Sequence, residues 1–299
     1  MHVDQQIYSH TIQIKMADQF TRGIGMFTLL YVYRVRIASF LFLFLINNVN
    51  ASECDNWQSN HPEWIWCDSF ESDTALTSRY EDVSTNGMGR TTSDSFDGQA
   101  SLQQSYTENQ VSAGWVIKVK PEGYPDHIFF RWYHKFENAF TIFPPKMARA
   151  GFRSRSTWQT VFMVHSWISG NNPTLDVVAN NSSQGPWLPV GKANYDLSQS
   201  LDKWTSYEVE IKLNDPGSQN GHYRLWIDNT LSIERLNVDL IGNTNDKINE
   251  VMLDTYWNGG SPAALSRFFD NFIISTEKIG MYNSPPLPPS NLFLTAPSN

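Results

Sequence analysis

Residues 127–136 read HIFFRWYHKF, a run rich in aromatic and branched side chains that is typical of a β-strand. Successive side chains of a strand point to opposite faces. One face therefore takes Ile128, Phe130, Trp132, His134 and Phe136, and the other takes His127, Phe129, Arg131, Tyr133 and Lys135. We predict that the first face packs in a hydrophobic core and that the second, through Arg131, Tyr133 and Lys135, contacts a ligand.

Similar runs recur from about residue 64 to 279, separated by Gly, Pro, Asn and Asp, without a long helical stretch. The clearest predicted strands are 128–136, 158–167, 204–213, 222–227, 248–257 and 268–275. Asp228 and Asn229 tolerate the positive φ of a tight turn, so they predict a hairpin tip. The sequence therefore predicts an all-β protein, an antiparallel two-sheet β-sandwich whose outer face can curve into a groove.

The composition supports one sizeable core and argues against nucleic acid. The chain has 299 residues, 40% of them hydrophobic and 14% aromatic, which is enough apolar surface for a single large domain. Its formal net charge is −8, whereas phosphate binding draws on clustered Lys and Arg. Flat aromatic rings stack on sugar faces and also fill β cores, so the 11 Trp and 12 Tyr fit either use.

The first 51 residues are interpreted as an upstream segment and a signal peptide. From Met26 onward, Arg34 and Arg36 precede an apolar run at 37–46 and a small-residue ending at Ala51. We predict a start at Met26, cleavage after Ala51, and secretion to the extracellular space or cell surface. The alternative is a retained anchor, but the apolar run is well short of the roughly 20 residues that cross a bilayer. The mature protein is therefore expected to have no membrane span.

Two further features organise the exported part, which we predict to be one domain over 52–283. Cys54 and Cys67 are the two cysteines of the chain, and an oxidising compartment favours a disulfide between them. Two thiols alone are too few ligands for zinc. Residues 284–299 read SPPLPPSNLFLTAPSN, which indicates an extended linker or the truncated start of another module.

Four stretches carry a resemblance to a known group of proteins. They read WIWCDSFESD at 64–73, KMARAGFRSRSTWQTVFMVHSW at 146–167, HYRLWIDNTLSIER at 222–235 and DTYWNGGSPAALSRFFDNFIISTEKIG at 254–280. Together they resemble the secreted bacterial jelly-roll proteins of the concanavalin A-like superfamily, near the polysaccharide lyases that cleave alginate and glucuronan. The resemblance implies a jelly-roll fold and a polysaccharide partner. Since one fold serves several functions, the activity has to be argued from the site.

Eliminative cleavage of a uronate polymer needs a cation at the carboxylate, a base for the C5 proton and an acid for the C4 oxygen. The lyases that the chain resembles use a Lys after a Gly- or Pro-rich turn, and Lys146 after two prolines is similar to it. Arg153 or Arg155 would assist. The following strand carries Thr157, Gln159 and Val161 where the lyases have Ser and Arg, and the next strand, 175–179, lacks their tyrosine pair.

Other residues complete the candidate site. His165 is a candidate base, since a neutral imidazole accepts a proton at ordinary pH, and its alternative role is that of a semi-buried structural His. Tyr256 is a candidate acid or base, or a platform beside Trp257, with core packing as the alternative. The predicted substrate-binding residues are Arg131, Tyr133, Lys135, Gln159, Trp167, Trp226 and Trp257.

Two alternatives rest on acidic residues. Glu208 and Glu210 lie on one strand face at a spacing that a glycosidase would use, although a charged, exposed strand face explains them more simply. Sugar-binding jelly rolls often hold one structural Ca²⁺, and Glu71 and Asp270 are the candidate ligands here. Their alternative role is to cap turns or strand ends.

The sequence therefore predicts a secreted protein that acts on polysaccharides, with Lys146, His165 and Tyr256 as the catalytic residues of a lyase for acidic, uronate polymers. A non-catalytic carbohydrate-binding or adhesion module and a purely structural surface protein are the alternatives. The oligomeric state stays open.

Overall fold

The computed structural model describes residues 52–282 except 155, 158 and 180–187. The predicted signal peptide, Arg155 and the proline-rich tail lie outside the described residues. The strands are β1 (Trp64–Asp68), β2 (Asp82–Ser84), β3 (Met88–Thr91), β4 (Ser101–Tyr106), β5 (Trp115–Val119), β6 (His127–Phe136), β7 (Lys146–Arg153), β8 (Thr160–Ser169), β9 (Asn172–Ala179), β10 (Leu188–Lys192), β11 (Thr205–Lys212), β12 (Gly221–Ile227), β13 (Thr230–Val238), β14 (Glu250–Leu253) and β15 (Leu265–Ser275).

Helical structure in the described residues is confined to short pieces. The α-helix α1 spans Trp57–Asn60, and two 3₁₀ turns span Leu76–Ser78 and Leu197–Ser200. None of these has the length and apolar character that a membrane-spanning helix requires.

The strands form two antiparallel sheets. Sheet A has the order β13-β12-β11-β6-β15-β4-β3, with β1 also paired to β15. Sheet B has the order β10-β9-β8-β7-β14-β5-β2. Two stacked sheets of this kind, each with one apolar face, make the predicted antiparallel β-sandwich, which is confirmed.

The core lies between the sheets and follows the alternation of the sequence. On β6, Ile128, Phe130 and Trp132 are fully buried, and on the neighbouring β11 so are Val209 and Ile211. The predicted hairpin is confirmed as well, since β12 and β13 pair across Asp228 and Asn229, which have φ of 46° and 60°. Both residues tolerate this left-handed conformation better than most.

The other face of β6 differs from its prediction. Arg131 is fully buried, where it pairs with Glu53 and donates to the Gly280 carbonyl oxygen at 2.7 Å. The Tyr133 ring is also buried, stacked 3.5 Å from the Phe96 ring, and its hydroxyl accepts a hydrogen bond from the Tyr282 amide. The two ends of the described chain thus pack over this face, which corrects the prediction that Arg131 and Tyr133 contact a ligand.

Lys135, the third predicted binding residue of this face, is held by two carboxylates. Its Nζ lies 2.8 Å from Asp94 and 2.9 Å from Asp202. Both acids belong to loops on the sheet A side, so the cation is already neutralised where it stands. The structure therefore gives Lys135 a bridging role between two loops and places it away from the cavity described below.

The predicted disulfide is confirmed. Cys54 and Cys67 are bonded, with 5.5 Å between their Cα atoms and 13 residues of sequence separation. Cys67 lies on β1, and Cys54 adjoins Glu53, the partner of Arg131. The bridge therefore fixes the segment that closes the outer face of sheet A.

We expect the double substitution Cys54→Ser with Cys67→Ser to lower the free energy of unfolding by about 3 kcal/mol, because the unfolded chain regains the entropy of a short closed loop. Urea unfolding of the variant and the oxidised wild type measures the difference. Reduction of the wild type serves as the matched control and should reproduce the loss. Equal unfolding midpoints for variant and wild type would contradict the expectation.

We expect Glu53→Ala to destabilise the protein by about 3–5 kcal/mol, since it leaves the buried guanidinium of Arg131 without its carboxylate. Glu122→Ala is the matched control, because Glu122 is an exposed acid that pairs with Lys120 at the surface. Chemical denaturation reports both variants. If Glu53→Ala costs no more than Glu122→Ala, the pair does not stabilise the fold.

Candidate functional site

A cavity of about 460 Å³ opens on the outer face of sheet B. It brings together the three predicted catalytic residues, Lys146, His165 and Tyr256. The other charged residues in its wall are Arg149, Arg153, Asp82 and Asp254, and its apolar floor consists of Trp115, Ile117, Met163 and Met252. The sandwich thus has a depression with both cations and titratable groups at the place where the sequence predicted catalytic chemistry.

The floor and wall follow from the strand register. His165 on β8 is paired with Arg149 on β7, which is paired with Met252 on β14, which in turn is paired with Ile117 on β5. Directly opposed residues of neighbouring strands point to the same face. Four strands therefore align one side chain each into a single row across the cavity.

Lys146 reaches this face because of a β-bulge. The pairing of β7 with β8 shifts between Lys146 and Ala148, and the side chains of both Met147 and Ala148 enter the core. Without the extra residue, strict alternation would place Lys146 on the same side as Ala148. The bulge instead leaves the Lys146 ammonium on the outer face, 5.3 Å from the centre of the Trp167 ring.

The electrostatics of the cavity keep His165 neutral. Burial lowers the pKa of His165 to about 3, the cations of Lys146 and Arg149 add to the effect, and Asp254 opposes it. The imidazole Nε2 lies 3.7 Å from the nearer carboxylate oxygen of Asp254. Burial also lowers the pKa of Lys146, with Asp254 again acting in the opposite direction. An imidazole and a partly desolvated ammonium thus share the influence of Asp254, and Asp176 on the neighbouring strand β9 also acts on Lys146.

Asp254 and Tyr256 are ordered by the segment that follows β14. The Tyr256 amide donates to Oδ1 of Asp254 at 3.0 Å, which turns the other carboxylate oxygen toward His165 and toward Arg149 at 4.0 Å. Tyr256 is 46% exposed where it lines the cavity. Its hydroxyl group is therefore available to a molecule that enters the cavity.

The cations of the cavity differ in how fully they are neutralised. Arg153 lies 3.0 Å from Glu250 and 3.4 Å from Asp82, so two carboxylates already flank it. Arg149 lies 4.0 Å from Asp254, and its Nε is buried without a hydrogen-bond partner. Lys146 is offset by Asp254 and Asp176, but among the described residues it forms no close ion pair with either. An anionic group would therefore bind at the Lys146 and Arg149 end of the cavity.

A fully buried arginine supports this end from beneath. Arg267 on β15 reaches across the core from sheet A and donates to the carbonyl oxygens of Lys146 at 2.9 Å and Asp254 at 2.8 Å. Its Nε donates to Gln104 at 2.7 Å. Two residues of the cavity wall thus have their backbones fixed by one guanidinium group.

The remaining predicted binding residues are divided between several places. Trp167 lies beside Lys146. Trp226 is on sheet A, under the ammonium of Lys278 at 4.6 Å. Gln159 is exposed in the segment before β8 and does not line the cavity. Trp257 is buried edge-on against Tyr106 in the core, which corrects its predicted role as a sugar platform.

Sequence reasoning missed Arg149, Asp254 and the apolar floor. Alternation within KMARAGFR places Arg149 and Arg153 on one face, so a signal for Arg149 was present. Asp254 had no such signal, because it lies just beyond β14 and its position depends on a contact with Met147 on β7. The charge of this residue nevertheless opposes the effect of burial on the pKa values of both His165 and Lys146.

The two predicted calcium ligands both hold the loop between β3 and β4. Oε1 of Glu71 accepts the amides of Gln99 and Ala100 at 2.8 Å each. The buried carboxylate of Asp270 accepts the amide of Phe96 at 2.9 Å, and its pKa is raised well above the usual range by burial. Both acids therefore make the contacts expected of residues that cap turns or strand ends, the alternative role considered for them. The calcium site stays a prediction.

The two acids of the glycosidase alternative do not face a common groove. Glu208 accepts the amides of Ile279 and Gly280 at 2.6 and 3.0 Å, so it anchors the C-terminal segment of the described chain. Glu210 instead lies among His127, His222 and Arg224 on the same sheet. Glu208 and Glu210 thus have separate structural partners and do not form the facing pair of carboxylates that a glycosidase requires.

Comparison with known proteins supports the resemblance seen in the sequence. The family described as Polysaccharide lyase 14 matches residues 170–270, a segment that contains Asp254, Tyr256 and Arg267. No curated protein matches the chain in sequence.

Two solved structures have a similar fold. The PL-14 alginate lyase from Aplysia kurodai superposes with a TM-score of 0.58 and 13% identity, covering 72% of this chain and 99% of the lyase. The alginate lyase vAL-1 from Chlorella virus superposes with a TM-score of 0.55 and 15% identity, covering 76% of this chain and 99% of the lyase. The chain therefore has the jelly-roll fold of these two enzymes and, over residues 170–270, the sequence pattern of polysaccharide lyase family 14.

Proposed function

We propose that the protein is an exported polysaccharide lyase that cleaves acidic, uronate-containing polymers by β-elimination. The observation that carries this proposal is the convergence of Lys146, His165 and Tyr256 on one cavity, together with Arg149. A uronate lyase needs a cation, a base and an acid within one sugar unit of each other. The cavity supplies one candidate for each role.

The substrate carboxylate is placed between Lys146 and Arg149. The carboxylates that offset these two cations, Asp254 and Asp176, do so without a close ion pair among the described residues, the nearest being Asp254 at 4.0 Å from Arg149. Arg153, in contrast, is already flanked by Glu250 at 3.0 Å and Asp82 at 3.4 Å. Removal of the C5 proton leaves negative charge that spreads onto the carboxylate group of the sugar. Cations already in position stabilise that charge without reorganisation, which is the main source of rate enhancement in such sites.

The proton transfers follow from the same geometry. Neutral His165 accepts the C5 proton, and the resulting imidazolium is stabilised by Asp254, 3.7 Å away. The electron pair of the C5–H bond forms the C4–C5 double bond while the bond from C4 to the glycosidic oxygen breaks. Tyr256, which is partly exposed in the cavity, donates its hydroxyl proton to that oxygen. One product fragment ends in a new reducing end that keeps the glycosidic oxygen as a hydroxyl group. The other fragment begins with an unsaturated uronate at its non-reducing end.

Binding of the polymer also favours this role for His165. The pKa of the imidazole is lowered first by burial and then by the Lys146 and Arg149 cations. A substrate carboxylate between those cations offsets their charge and makes His165 a stronger base when substrate is present. The free enzyme therefore holds the imidazole unprotonated, and the bound polymer activates it.

We place the activity outside the cell. The n-region, apolar run and small-residue ending before residue 52 support export, and the Cys54–Cys67 bridge suits an oxidising compartment. Polymeric uronates are also encountered there.

The second candidate is a binding module without catalysis. The observation in its favour is the low accessibility of His165, whose side chain is only 4% exposed. A binding module would use Lys146, Arg149 and Trp167 to hold an anionic chain and would leave it uncut.

We expect the mature protein to release unsaturated products from alginate or glucuronan. The rise in ultraviolet absorbance of these products measures the activity. Lys146→Ala should lower kcat/KM at least about 100-fold, because one preorganised charge-stabilising group is lost. The melting temperature should change little, since the side chain is half-buried at the surface. Lys212→Ala, an exposed lysine on sheet A, is the matched control and should retain full activity. If absorbance stays flat while the protein is retained on a uronate column, the lyase proposal is wrong and the protein is a binding module.

We expect kcat/KM to be independent of pH between about 5 and 8, since the pKa of His165 is lowered to about 3 and the imidazole of the free enzyme is neutral throughout. On the alkaline side activity should fall as Lys146 loses its proton, at a pH below the ordinary lysine value because burial lowers its pKa. In Lys146→Arg the alkaline fall should move upward, because a guanidinium does not titrate in this range. An activity loss centred near pH 6.5 would contradict the assignment of His165.

A further inference from the structure

The outer face of sheet A carries a cluster of two histidines and one carboxylate, far from the chemistry proposed above. Nε2 of His127 lies 2.7 Å from Oε1 of Glu210, and Nε2 of His222 lies 2.9 Å from the same oxygen. Among the described residues, these three form the one group of at least three His, Cys, Asp or Glu side chains that could hold a metal ion. Their ligand atoms all lie within 4.8 Å of one another. We propose that His127, Glu210 and His222 form a zinc-binding site.

Three adjacent strands set the positions of these residues. Lys212 on β11 is paired with His127 on β6 and with His222 on β12, so the two histidines flank β11 at the same level. Glu210 lies two residues earlier on β11 and points to the same face. Both imidazoles lean toward it, and the three ligands thus come from the rigid, regularly paired centre of a sheet.

The carboxylate is fixed in one orientation by its other oxygen. Arg224 on β12 donates to Oε2 of Glu210 at 2.9 Å and is itself held by Glu234 at 2.7 Å. Oε1 is therefore left to the histidines. Hydrogen bonds from outer residues that orient a metal ligand are a regular feature of metal sites.

The donor set fits a divalent transition ion. Imidazole and carboxylate are the ligands that zinc takes in three-residue sites, with water or another oxygen ligand in the fourth position. A tetrahedral ion with bonds of about 2.1 Å separates its ligand atoms by about 3.4 Å, slightly more than the distances found here. The His127 side chain is 43% exposed and free to move outward by that amount, while Glu210 stays buried beneath it.

The charges around the cluster limit the zinc affinity that we expect. Glu210 and Glu234 are offset by Arg224, and Lys212 lies between the histidines on the same face. This balance makes the site weaker than an all-acidic cage and selective for an ion that takes nitrogen ligands. Calcium and magnesium, which require oxygen ligands, are disfavoured.

The test uses the purified full chain, stripped of metal with a chelator that is then removed, and titrated with zinc chloride by calorimetry at pH 7.5. We expect one zinc ion per chain and an upward shift of the melting temperature. His127→Ala and His222→Ala should each weaken binding at least tenfold, and the double variant should abolish it. Cobalt bound in place of zinc should show the strong visible absorption of a four-coordinate ion.

His61→Ala is the matched control. His61 also pairs with a glutamate, Glu63 at 3.1 Å, but the described residues place no second histidine in a metal-binding group with it, so its loss should leave zinc binding unchanged. Melting curves without metal check that each variant is folded. Absence of zinc binding by the wild type, or unchanged affinity in the folded double variant, would overturn the proposal. Neither result bears on the lyase assay, because the cluster and the cavity lie on different sheets.

Discussion

The contact on which the candidate site depends is the buried guanidinium of Arg267. Arg267 lies on β15 of sheet A and donates to the carbonyl oxygens of Lys146 on β7 and of Asp254 just after β14, so it joins the two layers at the wall of the cavity. A buried cation is tolerated only when its donors are satisfied. Here Gln104, two carbonyl groups and the faces of the Tyr106 and Phe269 rings surround it. The burial lowers the pKa of this arginine, as expected for a charge removed from water.

This arrangement explains why an irregular piece of backbone carries the chemistry. The bulge at Lys146 and the segment after β14 at Asp254 both interrupt regular strand pairing, and a buried carbonyl group is costly unless it accepts a hydrogen bond. Arg267 satisfies the carbonyl groups of both residues with one side chain. The bulge can therefore persist, and the bulge is what turns Lys146 away from the core and toward His165. A contact in the core thus determines which charge faces the solvent.

The sequence predicted the features that depend on local pattern. The alternation of apolar residues predicted the strands and the buried face of β6. The Asp228-Asn229 pair predicted the hairpin, and the two cysteines predicted the disulfide. The errors at Arg131 and Tyr133 have one cause: segments near residues 53 and 280 pack over β6, and strand alternation contains no information about such distant coverage. Trp257 was misplaced for a related reason, because it lies in a turn where alternation does not apply.

The outer faces of the two sheets also differ in how their cations are neutralised, and this difference carries the assignment of the ligand surface. On sheet A, Arg131, Lys135 and Arg224 each have a carboxylate within ion-pair distance. On sheet B, Arg149 lies 4.0 Å from Asp254, which His165 also approaches, and Lys146 is offset by Asp254 and Asp176 without a close ion pair among the described residues. In a chain with a net charge of −8, a polyanion gains little from cations that are already paired. Attraction is therefore concentrated where the cations lack close ion pairs, and that place is the bulge that Arg267 supports.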